Sequence, residues 1–152
     1  MRKSLLFLLV LAGCLLAACK NKPVYYHFEH TSENGWEKTD ALDFSITPMA
    51  SNGSYQEQIG LRISANYPYM SLSLIIEQTI YPAGQTYCDT LDCHLIDENG
   101  NSTGYGISQY QYLFPLKTLQ LHQGDSIQCI IRHNMKREIL PGITDVGIRL
   151  QR

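Results

Sequence analysis

Residues 59–78 read IGLRISANYPYMSLSLIIEQ, and this stretch decides the fold. Apolar side chains occupy every second position from Ile59 to Ile63 and again from Met70 to Ile76, mostly with Gly, Arg or Ser between them. An alternation with a period of two residues gives an extended strand one apolar and one polar face. The stretch therefore predicts two strands that each bury one face.

The same alternation recurs along the rest of the chain. It is found in residues 42–46, 91–95, 127–131 and 146–150. Turn-forming pairs such as Asn34-Gly35 and Pro141-Gly142 divide the chain into segments that are too short for a mostly helical domain. With residues 24–28 and 105–112 added, we count about nine strands.

These strands and their short connections predict an all-β fold, an antiparallel two-sheet β-sandwich of jelly-roll or immunoglobulin-like type. The sequence does not decide between these two topologies. Residues 135–140 have an alternative of their own, because their apolar spacing fits a short helix about as well as a strand. The ten tyrosines of the chain also favour strands, because aromatic side chains pack well on pleated surfaces.

The first residues have the order of a bacterial lipoprotein signal. A positive start is followed by residues 5–16, which are almost all apolar but fewer than the about 20 residues of a membrane span. Small residues precede a cysteine at both Cys14 and Cys19. We favour Cys19 as the lipidated residue, with Cys14 as the alternative, because cleavage before Cys19 leaves a polar tether, residues 20–23.

The predicted organisation follows from this cleavage site. Residues 1–18 are the lipoprotein signal peptide, residues 19–23 the lipidated cysteine and its tether, and residues 24–152 one β-sandwich domain. The alternatives are an ordinary signal peptide with an A-x-A type cleavage site and an uncleaved anchor. Several acyl chains, such as palmitate, would make the attachment effectively permanent.

Charge and cysteine content limit the partners of the domain. The formal net charge is −2 and becomes −4 when Arg2 and Lys3 leave with the signal, so no basic field attracts nucleic acid or anionic lipid. Cys88, Cys93 and Cys129 remain. Their odd number leaves at least one free thiol unless a bond forms between chains. We prefer buried free thiols at Cys93 and Cys129 over a disulfide.

The sequence carries no pattern for catalysis or metal binding. The histidines lack the spacings that place ligands at metal distance; they are His27, His30, His94, His122 and His133. Nucleophile signatures are also missing. The acidic residues within 88–98 are best explained as solvated strand and turn carboxylates. We therefore predict no enzyme activity, no metal site and no cofactor.

Two tyrosine-rich segments are the candidates for a binding surface. Tyr67 and Tyr69 flank a proline, and Tyr110 and Tyr112 point the same way if their segment is a strand. Exposed tyrosines of this kind stack on sugar rings or pack against partner proteins. Packing of the same tyrosines into the core is the alternative.

A set of particular segments carries a resemblance to a known family. These segments are VYYHFE after the tether, Trp36 with the following ALDFSI, IGLRISANYPYMSLSLIIEQ, CDTLDCHLIDENGNSTGYG and the ending MKREILPGITDVGIRL. Within the ending, residues 142–149 are the most specific. Together the segments resemble the gliding motility-associated lipoprotein GldH family of Bacteroidetes, over the whole chain.

The resemblance implies a membrane-anchored component of the envelope machinery for gliding and for the linked type IX protein secretion. Its partners would be other envelope proteins of that assembly, and the family's lipidated cysteine corresponds to Cys19. Lys20 and Lys22 stand where an acidic surface-export signal would be, which favours a periplasm-facing attachment to the cell membrane or outer membrane. The alternative function is a jelly-roll carbohydrate-binding module on the envelope. A hydrolase is a third hypothesis that no residue pattern supports.

Mass spectrometry of the mature N-terminus tests the predicted anchor. We expect lipid on Cys19 in the wild type and in a Cys14→Ser variant, because Cys14 lies inside the segment that is removed. A Cys19→Ser variant should lose the lipid and leave the membrane fraction. A lipidated Cys19→Ser protein, or an unmodified wild-type chain, would contradict this assignment.

Overall fold

Ten β-strands make up the regular structure of the computed structural model, which describes residues 22–152. In chain order they are β1 (Tyr25–His30), β2 (Trp36–Glu37), β3 (Leu42–Ile46), β4 (Gly53–Ser64), β5 (Ser71–Tyr81), β6 (Gln85–His94), β7 (Gln109–Leu121), β8 (Ser126–His133), β9 (Ile139–Leu140) and β10 (Ile143–Gln151). No helix occurs in this part of the chain, so the predicted all-β class is confirmed. The predicted signal peptide, Cys14 and Cys19 lie outside the described residues.

The strands form two antiparallel four-stranded sheets and one short ladder. Sheet I has the order β1-β10-β4-β7, sheet II has the order β3-β8-β5-β6, and β2 pairs with β9. Consecutive long strands alternate between the two sheets, except that β5 and β6 form a hairpin within sheet II. This is the strand order of a jelly roll. An immunoglobulin-like order would place the first two strands in one sheet, so the structure decides between the two predicted topologies.

The hydrophobic core fills the space between the two sheets. Alternate residues of the four inner strands point into it and are fully buried, as at Ile59, Leu74, Ile131 and Ile148. Burial of each side chain of this size contributes about 1.5–3 kcal/mol. The alternation that predicted these strands is therefore the pattern of their burial.

Two sequence-based expectations about strand positions are wrong. Met70 was expected inside, but it is 66% exposed and precedes β5, in which the buried alternation begins with Leu72. The strand expected over residues 105–112 begins only at Gln109. Tyr105 instead forms a single bridge with Gln111, because the chain doubles back between these two residues.

The open alternative for residues 135–140 is settled in favour of a strand. The residue pair Ile139–Leu140 forms β9, which pairs with β2. The ladder holds Trp36 in the core, where its ring meets His133 edge to face with 5.2 Å between ring centres. The Trp36 indole Nε1 donates to the carbonyl of Asp40 at 3.0 Å. Burial lowers the pKa of His133, which keeps this ring neutral beside the indole.

The two ends of the sandwich differ in their connections. Antiparallel pairing brings the start of β1 together with the short connections, residues 47–52, 82–84 and 122–125. We call this the N-terminal end. The opposite end, called the loop end, holds residues 31–41, 65–70, 95–108 and 134–142, and three of these connections are longer than any at the N-terminal end. Residues that precede β1 therefore enter the domain at the end remote from these longer connections.

Phe28 covers two glycines on the outer face of sheet I. Gly60 of β4 and Gly147 of β10 are cross-strand partners, and Phe28 of β1 is the other partner of Gly147. A Cβ atom at Gly60 would lie 2.8 Å from the Phe28 ring. A Cβ atom at Gly147 would lie 2.6 Å from the same ring and 2.7 Å from the carbonyl oxygen of His27. The guanidinium carbon of Arg62 lies 4.0 Å from the ring centre, so the ring is packed on both glycines and capped by a cation.

Alanine substitutions at the two glycines test the contact with the Phe28 ring separately from the contact with the His27 carbonyl. We expect Gly60→Ala and Gly147→Ala each to lower the free energy of unfolding by about 1–3 kcal/mol through overpacking. In a Phe28→Ala background the cost of Gly60→Ala should nearly vanish, because the three atoms nearest to its new methyl group all belong to the Phe28 ring. Gly147→Ala should remain costly there, because the His27 carbonyl stays in place.

Urea unfolding of the single and double variants measures these differences. If Gly60→Ala lowers the free energy of unfolding equally in the wild-type and Phe28→Ala backgrounds, the Phe28 ring does not require the glycines.

Candidate functional site

The tyrosines that were predicted as a binding surface lie at or near the loop end. Tyr67 and Tyr69 pack edge to face with 5.4 Å between ring centres, and both are half-buried against the core. The Tyr67 hydroxyl donates to the carbonyl of Ser71 at 3.0 Å. Desolvation raises the pKa of Tyr67, so its hydroxyl remains a donor throughout the physiological range.

Tyr110 and Tyr112 form a separate group on the inward side of β7. Tyr112 is buried, its hydroxyl lies 2.7 Å from Ser102 Oγ, and its ring stacks on Phe114 with 5.9 Å between ring centres. Tyr110 is half-buried. The structure thus gives Tyr112 a packing role. A binding role for the four tyrosines stays a prediction.

The three cysteines of the described chain are free thiols. Cys93 and Cys129 are buried, and Cys88 is exposed. Burial raises the pKa of Cys93 to about 12 and also raises the pKa of Cys129. Both buried thiols are therefore neutral and pack as small apolar groups. The preference for buried free thiols over a disulfide is confirmed.

A buried carboxyl group inside the core is a site that the sequence analysis missed. Glu57 of β4 and Gln78 of β5 point inwards from opposite sheets and are almost inaccessible to solvent. The Gln78 amide donates to Glu57 Oε1. Within residues 22–152, Glu57 Oε2 and Gln78 Oε1 have no hydrogen-bond partner. A proton on Glu57 would supply the donor that these two acceptors lack.

The surroundings of Glu57 favour this protonated form. Desolvation raises the pKa of Glu57 to about 7, and Asp89 adds to the rise. The hydrogen bond from Gln78 and the charge of Lys117 oppose it only in part. Because an ionised carboxylate is expensive in the core, the folded protein holds the Glu57 proton up to neutral pH.

Lys117 closes the side of the sandwich next to this buried pair. Its ammonium group forms an ion pair with Asp89 and lies 4.4 Å from the centre of the Tyr87 ring. Lys117 belongs to β7 and its two partners to β6, which are edge strands of different sheets. The contact therefore bridges the two sheets where the core would otherwise open to water.

The alternation of inward and outward side chains along β4 would have located Glu57. The alternation of residues 59–63 continues back to Tyr55, which is buried, and Glu57 lies between Tyr55 and Ile59 in the same phase. Gln78 likewise continues the phase of residues 72–76. The signal is a polar residue at a position that the strand alternation turns towards the core, because this alternation is set by the backbone and does not change with side-chain chemistry.

A cleft of about 940 Å³ lies on the outer side of sheet I at the loop end. The nearly buried carboxylate of Asp145 forms its base and contacts the imidazole Nδ1 of His30. Arg62 Nη1 lies 4.0 Å from the same carboxylate, and Thr144 Oγ lies 2.9 Å from it. Asp145 therefore fixes the orientation of one imidazole and one guanidinium at the edge of the cleft.

A β-bulge shapes this cleft. The register between β10 and β4 shifts between Ile143 and Asp145, which leaves Thr144 as the extra residue. The Thr144 hydroxyl lies 2.9 Å from the carbonyl of Arg62 and accepts a hydrogen bond from Gln109 Nε2 at 2.7 Å. The extra residue therefore links β10 to β4 and β7 beside the cleft.

Two kinds of site are missing from the described part of the chain. Among residues 22–152, no three side chains of His, Cys, Asp and Glu come together in a group that would hold a metal ion. The same residues include no helix with the length and apolar character that a membrane crossing requires.

The strand order and the position of the cleft define the class of the protein as an antiparallel jelly-roll domain with an open cleft on one sheet. The family model described as GldH lipoprotein matches residues 23–150. The chain therefore belongs to the GldH lipoprotein family, as the resemblance implied. It is 27% identical over 157 residues to the gliding motility lipoprotein GldH of Flavobacterium johnsoniae, an alignment that covers 95% of this chain and 94% of the relative.

Two solved structures show weaker similarity. A family GH115 4-O-methyl-α-glucuronidase is 15% identical with a TM-score of 0.49, and the match covers 87% of this chain but only 18% of that enzyme. The Eiger TNF of S. frugiperda is 9% identical with a TM-score of 0.35, and the match covers 84% of this chain and 92% of that chain.

The buried carboxyl group predicts a pH dependence of stability. The pKa of Glu57 is raised from 4.5 to about 7 in the folded state, so its favourable contribution is complete below pH about 4.5 and is lost as the pH rises through 7. The loss between pH 5 and pH 8 should amount to about 2–3 kcal/mol. A Glu57→Gln variant should not show it and should gain stability over the wild type at pH 8.

Urea unfolding at pH 5 and pH 8 measures this difference. The control is Glu98→Gln in an exposed turn, which should keep the wild-type profile. Parallel profiles for the wild type and Glu57→Gln would refute the assignment.

Proposed function

We propose that this protein is a non-enzymatic, lipid-anchored subunit of the cell envelope that works in gliding motility and the linked type IX secretion machinery. The observation that carries the proposal is the family match over residues 23–150, together with a relative named as a gliding motility lipoprotein that aligns over nearly the whole of both chains. The absence of catalytic patterns in the sequence supports a role in docking on other proteins.

The proposed anchor is a lipid on Cys19. The chain between Cys19 and Tyr25 reaches at most about 20 Å, at about 3.3 Å per residue. Because β1 starts at the N-terminal end of the sandwich, so short a tether would hold this end at the membrane and direct the loop end away from it. Lys20 and Lys22 favour attachment to a periplasm-facing leaflet.

The proposed docking surface is the loop end. Three large apolar side chains are strongly exposed there: Met70 at 66%, Tyr105 at 87% and Ile107 at 91%. Exposed apolar side chains are common singly, but a group on the connections of one end is typical of a surface that binds a protein partner. The net charge of −2 gives no support for nucleic acid as the partner.

Site-specific photo-crosslinking in cells of the native host tests this proposal. A photoreactive amino acid at position 107 should crosslink to an envelope protein of the motility or secretion assembly. The matched control is position 81, because Tyr81 is also an exposed large side chain but lies at the N-terminal end. An Ile107→Asp variant should weaken co-purification of the same partner while leaving the melting temperature unchanged, because the residue makes little contact with the fold.

The proposal fails if position 107 captures no protein of such an assembly, or if positions 81 and 107 capture the same partner equally well.

A further inference from the structure

A second groove, of about 520 Å³, lies on the outer face of sheet I beside the Phe28 contact. Its principal lining residues are Tyr26, Thr103, Tyr105, Gln111, Leu113 and Arg149. Its lining also includes Phe114 and Tyr112, and Tyr112 is one of the four tyrosines that the sequence predicted as a binding surface. The groove is concave, partly apolar and open to solvent, which is the form of a small-ligand site.

Arg149 is the charged group of the groove. Among residues 22–152, no carboxylate lies within 4.0 Å of its guanidinium, and its Nε is buried without an acceptor. Arg62 on the same face has Asp145, and Arg132 on the other sheet has Glu77. A guanidinium without a carboxylate partner favours an anionic ligand, and its planar fork matches a carboxylate.

Two tyrosines approach the groove from opposite edges of sheet I. Tyr26 comes from β1 and is 42% exposed, while Tyr105, at 87% exposed, comes from the segment that caps β7. Gln111 positions both of them. Its side-chain Nε2 donates to the Tyr26 hydroxyl at 3.1 Å, and its backbone exchanges two 2.9 Å hydrogen bonds with Tyr105.

This combination fits a sugar better than a peptide. Tyrosine faces and hydroxyls suit the alternating C–H and O–H groups of a sugar ring. A peptide main chain would need free backbone partners, and the strand edge beside the groove, at Gln111, is already paired with Tyr105. The lining groups come from β1, β7, β10 and the connection of residues 95–108.

We propose that this groove binds an acidic glycan, with the carboxylate of one sugar residue on Arg149 and the ring between Tyr26 and Tyr105. This is a binding function in addition to the proposed docking role. It uses the outer face of sheet I and shares Tyr105 with the proposed protein surface at the loop end. No covalent step is involved.

Calorimetric titration of the full chain in detergent with trigalacturonic acid, and with its methyl ester, tests the proposal. The acid should bind and the neutral ester should bind about tenfold more weakly, because the ester cannot form the charged pair with Arg149. An Arg149→Gln variant should bind both probes alike, at the level of the ester. Loss of the preference for the acid would show that Arg149 recognises the charge of the ligand. A merely structural role of Arg149 would leave that preference unchanged.

A Tyr105→Ala variant should weaken binding of the acid by about three- to tenfold, because one stacking ring is lost. Tyr81→Ala is the matched control, since it removes an exposed tyrosine from the N-terminal end, and should bind as the wild type does.

The proposal is overturned if neither trigalacturonic acid nor N-acetylmuramic acid binds, or if acid and ester bind equally to the wild type. It is also overturned if a blocked glutamate-containing tetrapeptide binds in place of the sugars and its binding depends on Arg149.

Discussion

The last strand of the chain completes the sheet that the first strand begins. β10 lies between β1 and β4 in sheet I and pairs with both along its length. Without residues 143–151, β1 has no strand partner and β4 has none on one side. The Phe28 contact with Gly147 and the Asp145 cleft also depend on this strand. Because these contacts join distant parts of the chain, the topology favours slow folding that finishes only after the C-terminal residues are in place.

Most of the strands could be predicted because each long strand lies between a core and solvent. The alternation of apolar and polar residues in 59–63 and 127–131 follows directly from that boundary. The order of the strands could not be predicted, because a strand's sequence records which face it buries but not which strand lies beside it. The β2–β9 ladder was missed for a similar reason: two residues are too few to show a period, and the partner is far along the chain.

The sites were less predictable than the strands. Glu57 stands at a position that the alternation of β4 turns towards the core, but its residue type alone suggests a solvated carboxylate. Of the residues that line the groove around Arg149, the sequence singled out Tyr112 alone. Tyr26, Tyr105 and Arg149 come from three separate segments that meet only because the sheet brings them together. Tyrosine-rich runs drew attention to residues whose rings partly fill the core, since clustering in sequence does not distinguish packing from binding.

β1 has a mechanical consequence at the point where the chain enters the domain. It is six residues long, lies at the edge of sheet I and is paired with β10 alone. A pull on the residues before Tyr25, resisted at the loop end, would run along the axis of this strand. All hydrogen bonds between β1 and β10 would then carry the load together, in shear, instead of breaking one after another as in peeling. The proposed anchor at Cys19 and the proposed docking surface at the loop end would load the domain in this way.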